Sequence, residues 1–315
     1  MLYRLALCLW LLLPACRNEA APRALPAAAP AAMPADTAAA PELPLPDVPQ
    51  TLRTPAERAA YIIRHFWDAM AFDDTLRSYD RAFMEQNFSN FISVFPYADD
   101  AARHDAVGSL LRRAEADRRA YVLLAEVAEK YLYEPDSPML SEEIYLLFLE
   151  GLLQSSVLTP DERVRPRWQW EAARKNRPGM LAADFAYTAR DGQFATLHRT
   201  PAAALQLLVF YDPDCEHCAE VMADLQADAL VRRMVAAGQL AVVAVYSGEA
   251  KDLWSATAHA LPAEWTVGYE PGTLQENGSY VLRTLPTLYL LDNRHRVVLK
   301  DARPETLREY LTDRQ

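Results

Sequence analysis

The chain has 315 residues, enough for two domains, and is 51% hydrophobic and 24% charged, the balance of a soluble packed protein. Lysine and arginine number 32 against 43 aspartates and glutamates, a net charge of −11 that argues against nucleic acid as a partner and leaves no basic patch for anionic lipid. Acidity alone selects no substrate.

Residues 1–16 read as a targeting segment. Arg4 supplies a positive start, residues 5–13 an apolar core too short to span a bilayer, and Leu13-Pro14-Ala15-Cys16 resembles a bacterial lipobox. Cleavage before Cys16 leaves that cysteine as a lipid-modified first residue; a plain secretory signal cut nearby is the alternative. Either way the protein leaves the cytoplasm for the cell envelope. Arg17 carries no inner-membrane retention signal, so a lipid anchor facing the periplasm or in the outer membrane is expected. Of four cysteines, Cys8 goes with the signal and Cys16 to lipid, leaving Cys215 and Cys218. One Cys-x-x-Cys pair without a stray thiol suits a redox protein in an oxidising compartment. Residues 17–50 are rich in alanine and proline and lack hydrophobic periodicity. They read as a disordered, polyproline-like tether reaching on the order of 100 Å.

From Thr54 the pattern turns helical, and residues 51–176 read as an all-helical domain. Thr54-Pro55-Ala56-Glu57 has the form of a capping box with proline at the first helical position. Apolar residues then recur at helical spacing from Tyr61 to Ala69. Further helices are expected over 80–95, 98–133 (with a break near Gly108), 141–155 and 159–176, separated by proline-bearing turns. The aromatic residues between Phe66 and Phe148 fall at core spacing, and no catalytic constellation stands among them.

Residues 177–315 change character. An alternating stretch around Asp191-Gly192 predicts a β-hairpin. The apolar run 207–211 then leads through a short polar turn to Cys215-Glu216-His217-Cys218 at the start of a helix over 215–230. Unpaired N–H groups and the helix dipole there favour a thiolate on Cys215, with Cys218 one turn on to close a disulfide. Zinc would ask for a second ligand pair, and the remaining chain has none. Residues 239–246 predict a doubly buried strand, 249–260 a helix, 265–269 a strand and 273–282 a helix. Leu285-Pro286 then opens a strand-turn-strand unit at Asp292-Asn293, and a last helix runs from Pro304.

Pro178-Gly179, Ala183-Asp184-Phe185, the Asp-Gly hairpin, VFYDPDCEHC and TLPTLYLLD together resemble the TlpA/ResA type of exported, membrane-anchored thiol-disulfide oxidoreductase, over about residues 177–313. HFWDAM, AEKYLYEPDSPM and RPRWQWEAARKNRPG resemble Bacteroidota lipoproteins that pair a helical domain of unknown function with a thioredoxin-like domain. The resemblance implies an α/β thioredoxin-like domain, a central mixed sheet flanked by helices with an N-terminal β-hairpin, behind the all-α domain. It makes Cys215 the attacking thiol, Cys218 the resolving thiol and Pro286 a cis-proline across from them, preceded by Leu285. It implies disulfide-bearing protein substrates, a membrane thiol reductase as electron donor, and no cofactor.

Departures from that pattern carry information. Asp214 stands where tryptophan is usual, and Val209 stands where a buried carboxylate usually takes the second thiol's proton; Glu220 and Glu216 are the candidates to substitute, and the sequence places neither. His217, when charged, favours the Cys215 thiolate and an oxidising disulfide, while Asp212, Asp214 and Glu216 oppose it and favour a reductase. The rival of another class is a binding protein that uses the thioredoxin-like domain as a scaffold. A peroxiredoxin would place threonine where Asp212 stands.

Overall fold

The computed structural model describes residues 42–201 and 203–314; the signal segment, Cys16 and most of the expected tether lie outside the described residues. The helical module grows from capped amphipathic segments. In α1 (Pro55–His65), Thr54 Oγ1 accepts the Glu57 N–H at 3.2 Å and the Glu57 carboxylate accepts the Thr54 N–H at 2.9 Å, the reciprocal capping box. Aspartates open the next four helices: Asp74 for α2 (Thr75–Ser78), Asp80 for α3 (Arg81–Ser93), Asp99 for α4 (Asp100–Ala114) and Asp117 for α5 (Arg118–Leu132). Ser141 caps α6 (Glu142–Gln154), and α7 (Val164–Ala173) completes the module. Each capping oxygen satisfies a backbone N–H that the first helical turn leaves without a partner.

Two expectations change here. The long helix over 98–133 is two helices, and the break lies at Asp117 rather than Gly108, which stays inside α4. Asp117 accepts the Ala120 N–H at 2.9 Å and the Tyr79 hydroxyl at 3.0 Å, so a new helix starts there. Within the segment read as a tether, Leu43 is buried in the helical core and its N–H donates to Asn87 Oδ1 at 2.7 Å. The core itself is aromatic: Phe88 meets Phe148 at 5.4 Å between ring centroids, and Phe91 meets Phe95 at 4.8 Å and Phe66 at 5.6 Å. In α6, Gly151 lets α4 approach, since a Cβ there would come within 2.3 Å of Leu111 Cδ1.

The second module begins with the hairpin of β1 (Ala186–Ala189) and β2 (Phe194–Thr196), whose turn places Gly192 at φ 82°. Then follow β3 (Leu205–Tyr211), α8 (Glu216–Ala227), α9 (Ala229–Ala236), β4 (Leu240–Ser247), α10 (Lys251–Thr257) and β5 (Thr266–Glu270). The chain ends with α11 (Thr273–Glu276), β6 (Thr287–Asp292), β7 (Val297–Leu299) and α12 (Pro304–Thr312). The described strands form a seven-stranded mixed sheet in the order β2-β1-β5-β4-β3-β6-β7. β4 runs parallel to β3 and β5, and the other pairings are antiparallel. Every residue of β3 is buried, because helices cover both faces of a central strand. Its side chains alternate: Leu207 and Val209 join the layer containing Cys218 and Leu307, while Leu208 and Phe210 join Phe185, Tyr280 and Tyr289.

The helix expected over 215–230 is divided by Asp228, which ends α8 and accepts the N–H groups of Leu230 and Val231 at 2.7 and 3.1 Å to start α9. The helix expected over 273–282 stops at Glu276, where Gly278 takes φ 62° and turns Tyr280 into the core. Among the described residues no helix is long and apolar enough to cross a membrane.

The two modules meet through charge that is withdrawn from water. Arg283 Nη2 lies 3.1 Å from Glu142 and 2.9 Å from Asp301, and Lys300 Nζ lies 2.7 Å from Glu142. Arg283 also donates to the Tyr133 carbonyl and covers that residue's ring, 4.1 Å from its centroid. Two acids and two bases balance, and their side chains are 10–16% exposed. Removing one member leaves the rest uncompensated, so Glu142→Ala is expected to cost about 3–5 kcal/mol in urea unfolding. Glu143→Ala, which breaks only the exposed pair with Arg177, is expected to cost less than about 1 kcal/mol in the same measurement.

Candidate redox site

β3 ends at Tyr211, and residues 212–214 turn the chain into α8. The Asp212 carbonyl accepts the Cys215 N–H at 3.2 Å, and Asp212 Oδ1 accepts the Asp214 N–H at 2.8 Å. This folds the Asp-Pro-Asp turn so that Cys215 becomes the N-cap of α8, in extended conformation (φ −98°, ψ 117°). Its Sγ stands where a capping oxygen would, accepting the Cys218 N–H at 3.2 Å. A thiolate in that position gains from the N–H donors and the helix dipole. Cys215 is half-buried and Cys218 is buried, and both are free thiols.

Across from the pair, the Leu285–Pro286 peptide is cis, and the Leu285 carbonyl oxygen is 4.0 Å from Cys215 Sγ. Pro286 stands at the mouth of β6, which β3 holds in antiparallel register through Phe210 and Thr287. One pairing of strands therefore sets the distance between the cysteines and the proline. Beside them opens a cavity of about 370 Å³ lined by His217, Leu285, Pro286, Arg303 and, from the loop between α5 and α6, Asp136 and Leu140.

Cys218 has an apolar setting among Val209, Val221 and Met222. Burial pushes its thiol up to about 12, opposed by a hydrogen bond from the Asp212 backbone and reinforced by Cys215 and the Asp212 charge. Glu216 and Glu220 are exposed on α8, and Glu220 pairs with His217 at 3.6 Å. Among the influences that raise the Cys218 thiol, the one carboxylate is Asp212, which acts there through its charge. Asp214 is exposed on the turn and His217 on the first turn of α8. Among the described residues no three His, Cys, Asp or Glu side chains cluster to hold a metal ion.

Sequence reasoning had no means of placing Asp136 and Leu140 at the cavity, because their loop carries only turn signals. Arg303 was likewise missed, although its place beside Pro304 at the start of α12 puts it near the end of β7.

The model of the family described as a domain of unknown function (DUF5106) matches residues 19–176. Among solved structures, a thioredoxin-like protein from Bacteroides caccae is 32% identical, with 87% of this chain and 99% of that one covered and a TM-score of 0.81. The C-terminal domain of an uncharacterized protein from Bacteroides fragilis is 36% identical over 44% of this chain and 98% of its own, with a TM-score of 0.42. A conserved protein of unknown function from the same organism is 38% identical over 43% of this chain and 98% of its own, with a TM-score of 0.41. No curated protein matches. With its helical half matched throughout and a thioredoxin-like sheet carrying the two thiols behind it, the chain belongs to the DUF5106 family.

Proposed function

We propose that this protein is an exported, lipid-anchored thiol-disulfide oxidoreductase of the TlpA/ResA type that reduces disulfides in partner proteins. The observation that carries the reading is the asymmetry of its two thiols. Cys215 is half-buried at a helix N-terminus facing a cis-proline, and Cys218 is buried one turn behind it. Cys215, as thiolate, attacks one sulfur of a substrate disulfide; a mixed disulfide forms and the other substrate sulfur leaves as thiolate. Cys218 then gives up its proton and attacks Cys215 Sγ, releasing the second substrate thiolate and closing the Cys215–Cys218 disulfide. Two electrons pass to the substrate, and the protons from the dithiol end on the two substrate thiols. A membrane thiol reductase would restore the dithiol, with Cys16 holding the protein at the periplasm-facing or outer membrane. Extended substrate chain would dock beside Pro286 through main-chain hydrogen bonds.

Titrating the Cys215–Cys218 pair against glutathione and dithiothreitol tests the direction of electron flow. A reductase is expected near the potential of thioredoxin, about −270 mV. A value near about −120 mV would make it an oxidant and give His217 the dominant tuning role. A pair that forms no reversible disulfide would leave the binding-protein reading in its place.

The trap follows from the order of attack. Cys218→Ala is expected to accumulate partner proteins as mixed disulfides on Cys215, seen as bands that collapse on reduction. Cys215→Ala should form none.

The buried thiol also leaves a mark on stability. An unfolded cysteine ionises near about 8.5, whereas folded Cys218 keeps its proton to about 12. Between these values the unfolded chain binds fewer protons, so stability falls as pH rises. Below the unfolded value the contribution is fully present. The reduced wild type is therefore expected to lose stability above about pH 9 more steeply than Cys218→Ala, by up to about 1.4 kcal/mol per pH unit.

A further inference from the structure

The stretch that leads into β6 is fastened from the helical module. Among the described residues, 281–285 make no backbone–backbone hydrogen bond. Leu282 and Leu285 pack against the sheet core, and Thr287 Oγ1 donates to the Thr284 carbonyl. The other fastening is Arg283, and it reaches into the neighbouring module. Its guanidinium donates to the Tyr133 carbonyl at the end of α5, covers the Tyr133 ring 4.1 Å from the centroid, and lies 3.1 Å from Glu142 in the first turn of α6. Tyr133 in turn stacks on Tyr145 of α6, with 5.1 Å between ring centroids. Asp301, at 2.9 Å, holds Arg283 from its own module.

The helical side of this contact is itself fixed. Where α5 passes to α6, the Ser141 N–H donates to the Leu132 carbonyl at 3.0 Å and Ser137 Oγ accepts the Met139 N–H at 3.2 Å. Arg303 Nη2 donates to the Ser137 carbonyl at 2.6 Å. Two arginines, one ahead of Pro286 and one ahead of α12, thus grip the same connection beside the cavity that Leu285 and Pro286 line. The Leu285 carbonyl, 4.0 Å from Cys215 Sγ, belongs to the stretch so held. The sulfur has a separate support: β3 delivers it, and the Cys218 N–H at 3.2 Å and the dipole of α8 stabilise it as thiolate. The nucleophile and the surface beside it therefore rest on different parts of the molecule.

We infer that Arg283 is a positioning residue: through Glu142 and the Tyr133 carbonyl, the helical module holds residues 283–286 where substrate backbone docks beside Cys215. This rests on the oxidoreductase reading and gives the helical module its part in that reaction. Lysine is no substitute, because a planar fork spans two carboxylates and a carbonyl at once, whereas an ammonium is a point charge. Losing the fork weakens docking of a polypeptide and leaves the chemistry of the thiol as it was.

The test uses the full-length protein, reduced beforehand, in single turnovers against two disulfides: a short peptide closed by a disulfide, and hydroxyethyl disulfide, which has no backbone to dock. Arg283→Lys is expected to raise the half-saturating peptide concentration about tenfold. Its limiting rate, its rate with hydroxyethyl disulfide and the pH profile of Cys215 alkylation should stay within about twofold of wild type. Lys300→Met separates positioning from stability, since it removes another base from Glu142 without releasing residues 283–286. It is expected to lower the urea midpoint and to keep the wild-type half-saturation. Both variants are measured where circular dichroism shows them folded. An unchanged half-saturation in Arg283→Lys overturns the inference. So does an equal rise in Lys300→Met, or a loss that the peptide and hydroxyethyl disulfide share. A wild-type dithiol that reduces neither disulfide removes the oxidoreductase reading itself, and the inference with it.

Discussion

The arrangement of this molecule depends on a neutral cluster of four charges, Glu142, Arg283, Lys300 and Asp301, held almost out of water between the helices and the sheet. No pair in it is sufficient alone. Burial pushes the Glu142 carboxyl above its ordinary value, with Lys300 and Arg283 opposing the rise and Asp301 adding to it. Arg283 is three residues ahead of Pro286. The segment that carries the cis peptide is therefore anchored by a helical residue on one side and by strand pairing with β3 on the other.

Much of the thioredoxin-like half was legible because its signals are local. A continuous apolar run, a polar turn and two cysteines at helical spacing need only their own residues to be read, and β3, α8 and the Asp191-Gly192 hairpin lie where those signals put them. Element ends were harder, since an aspartate inside a helical pattern looks the same whether it points to water or caps a new helix. Asp117 and Asp228 both cap, and each divides a segment that periodicity alone would continue. Leu43 shows the same limit in a different form: one apolar side chain among alanines and prolines carries no period, yet it docks. The wall of the cavity was illegible for a stronger reason. It joins residues about 150 positions apart, Asp136 and Pro286, and no local pattern encodes that meeting.

The two cysteines differ through their surroundings more than through their separation in sequence. Cys215 terminates the turn after β3, with donors at hand and solvent in reach, whereas Cys218 falls on the buried face of α8 against Val209. The second thiol has an apolar setting at Val209, and Asp212, whose charge raises that thiol, also shapes the turn in front of Cys215. One aspartate thus affects both thiols, through its backbone at Cys215 and through both its backbone and its charge at Cys218.

Lys300 ties the modules in another way. Its ammonium donates to the carbonyls of Lys175 at 2.8 Å and Ala173 at 3.3 Å, closing the C-terminal end of α7 with a side chain from beyond β7. The next residue, Asn176, sits in the left-handed region at φ 49°, its amide donating to the Ser279 carbonyl and accepting from the Ala183 N–H, each at 2.9 Å. The last helix of one half is thus finished by groups of the other. A gene rearrangement that parted the halves at this junction would leave a frayed helix on one fragment and an unmatched lysine on the other.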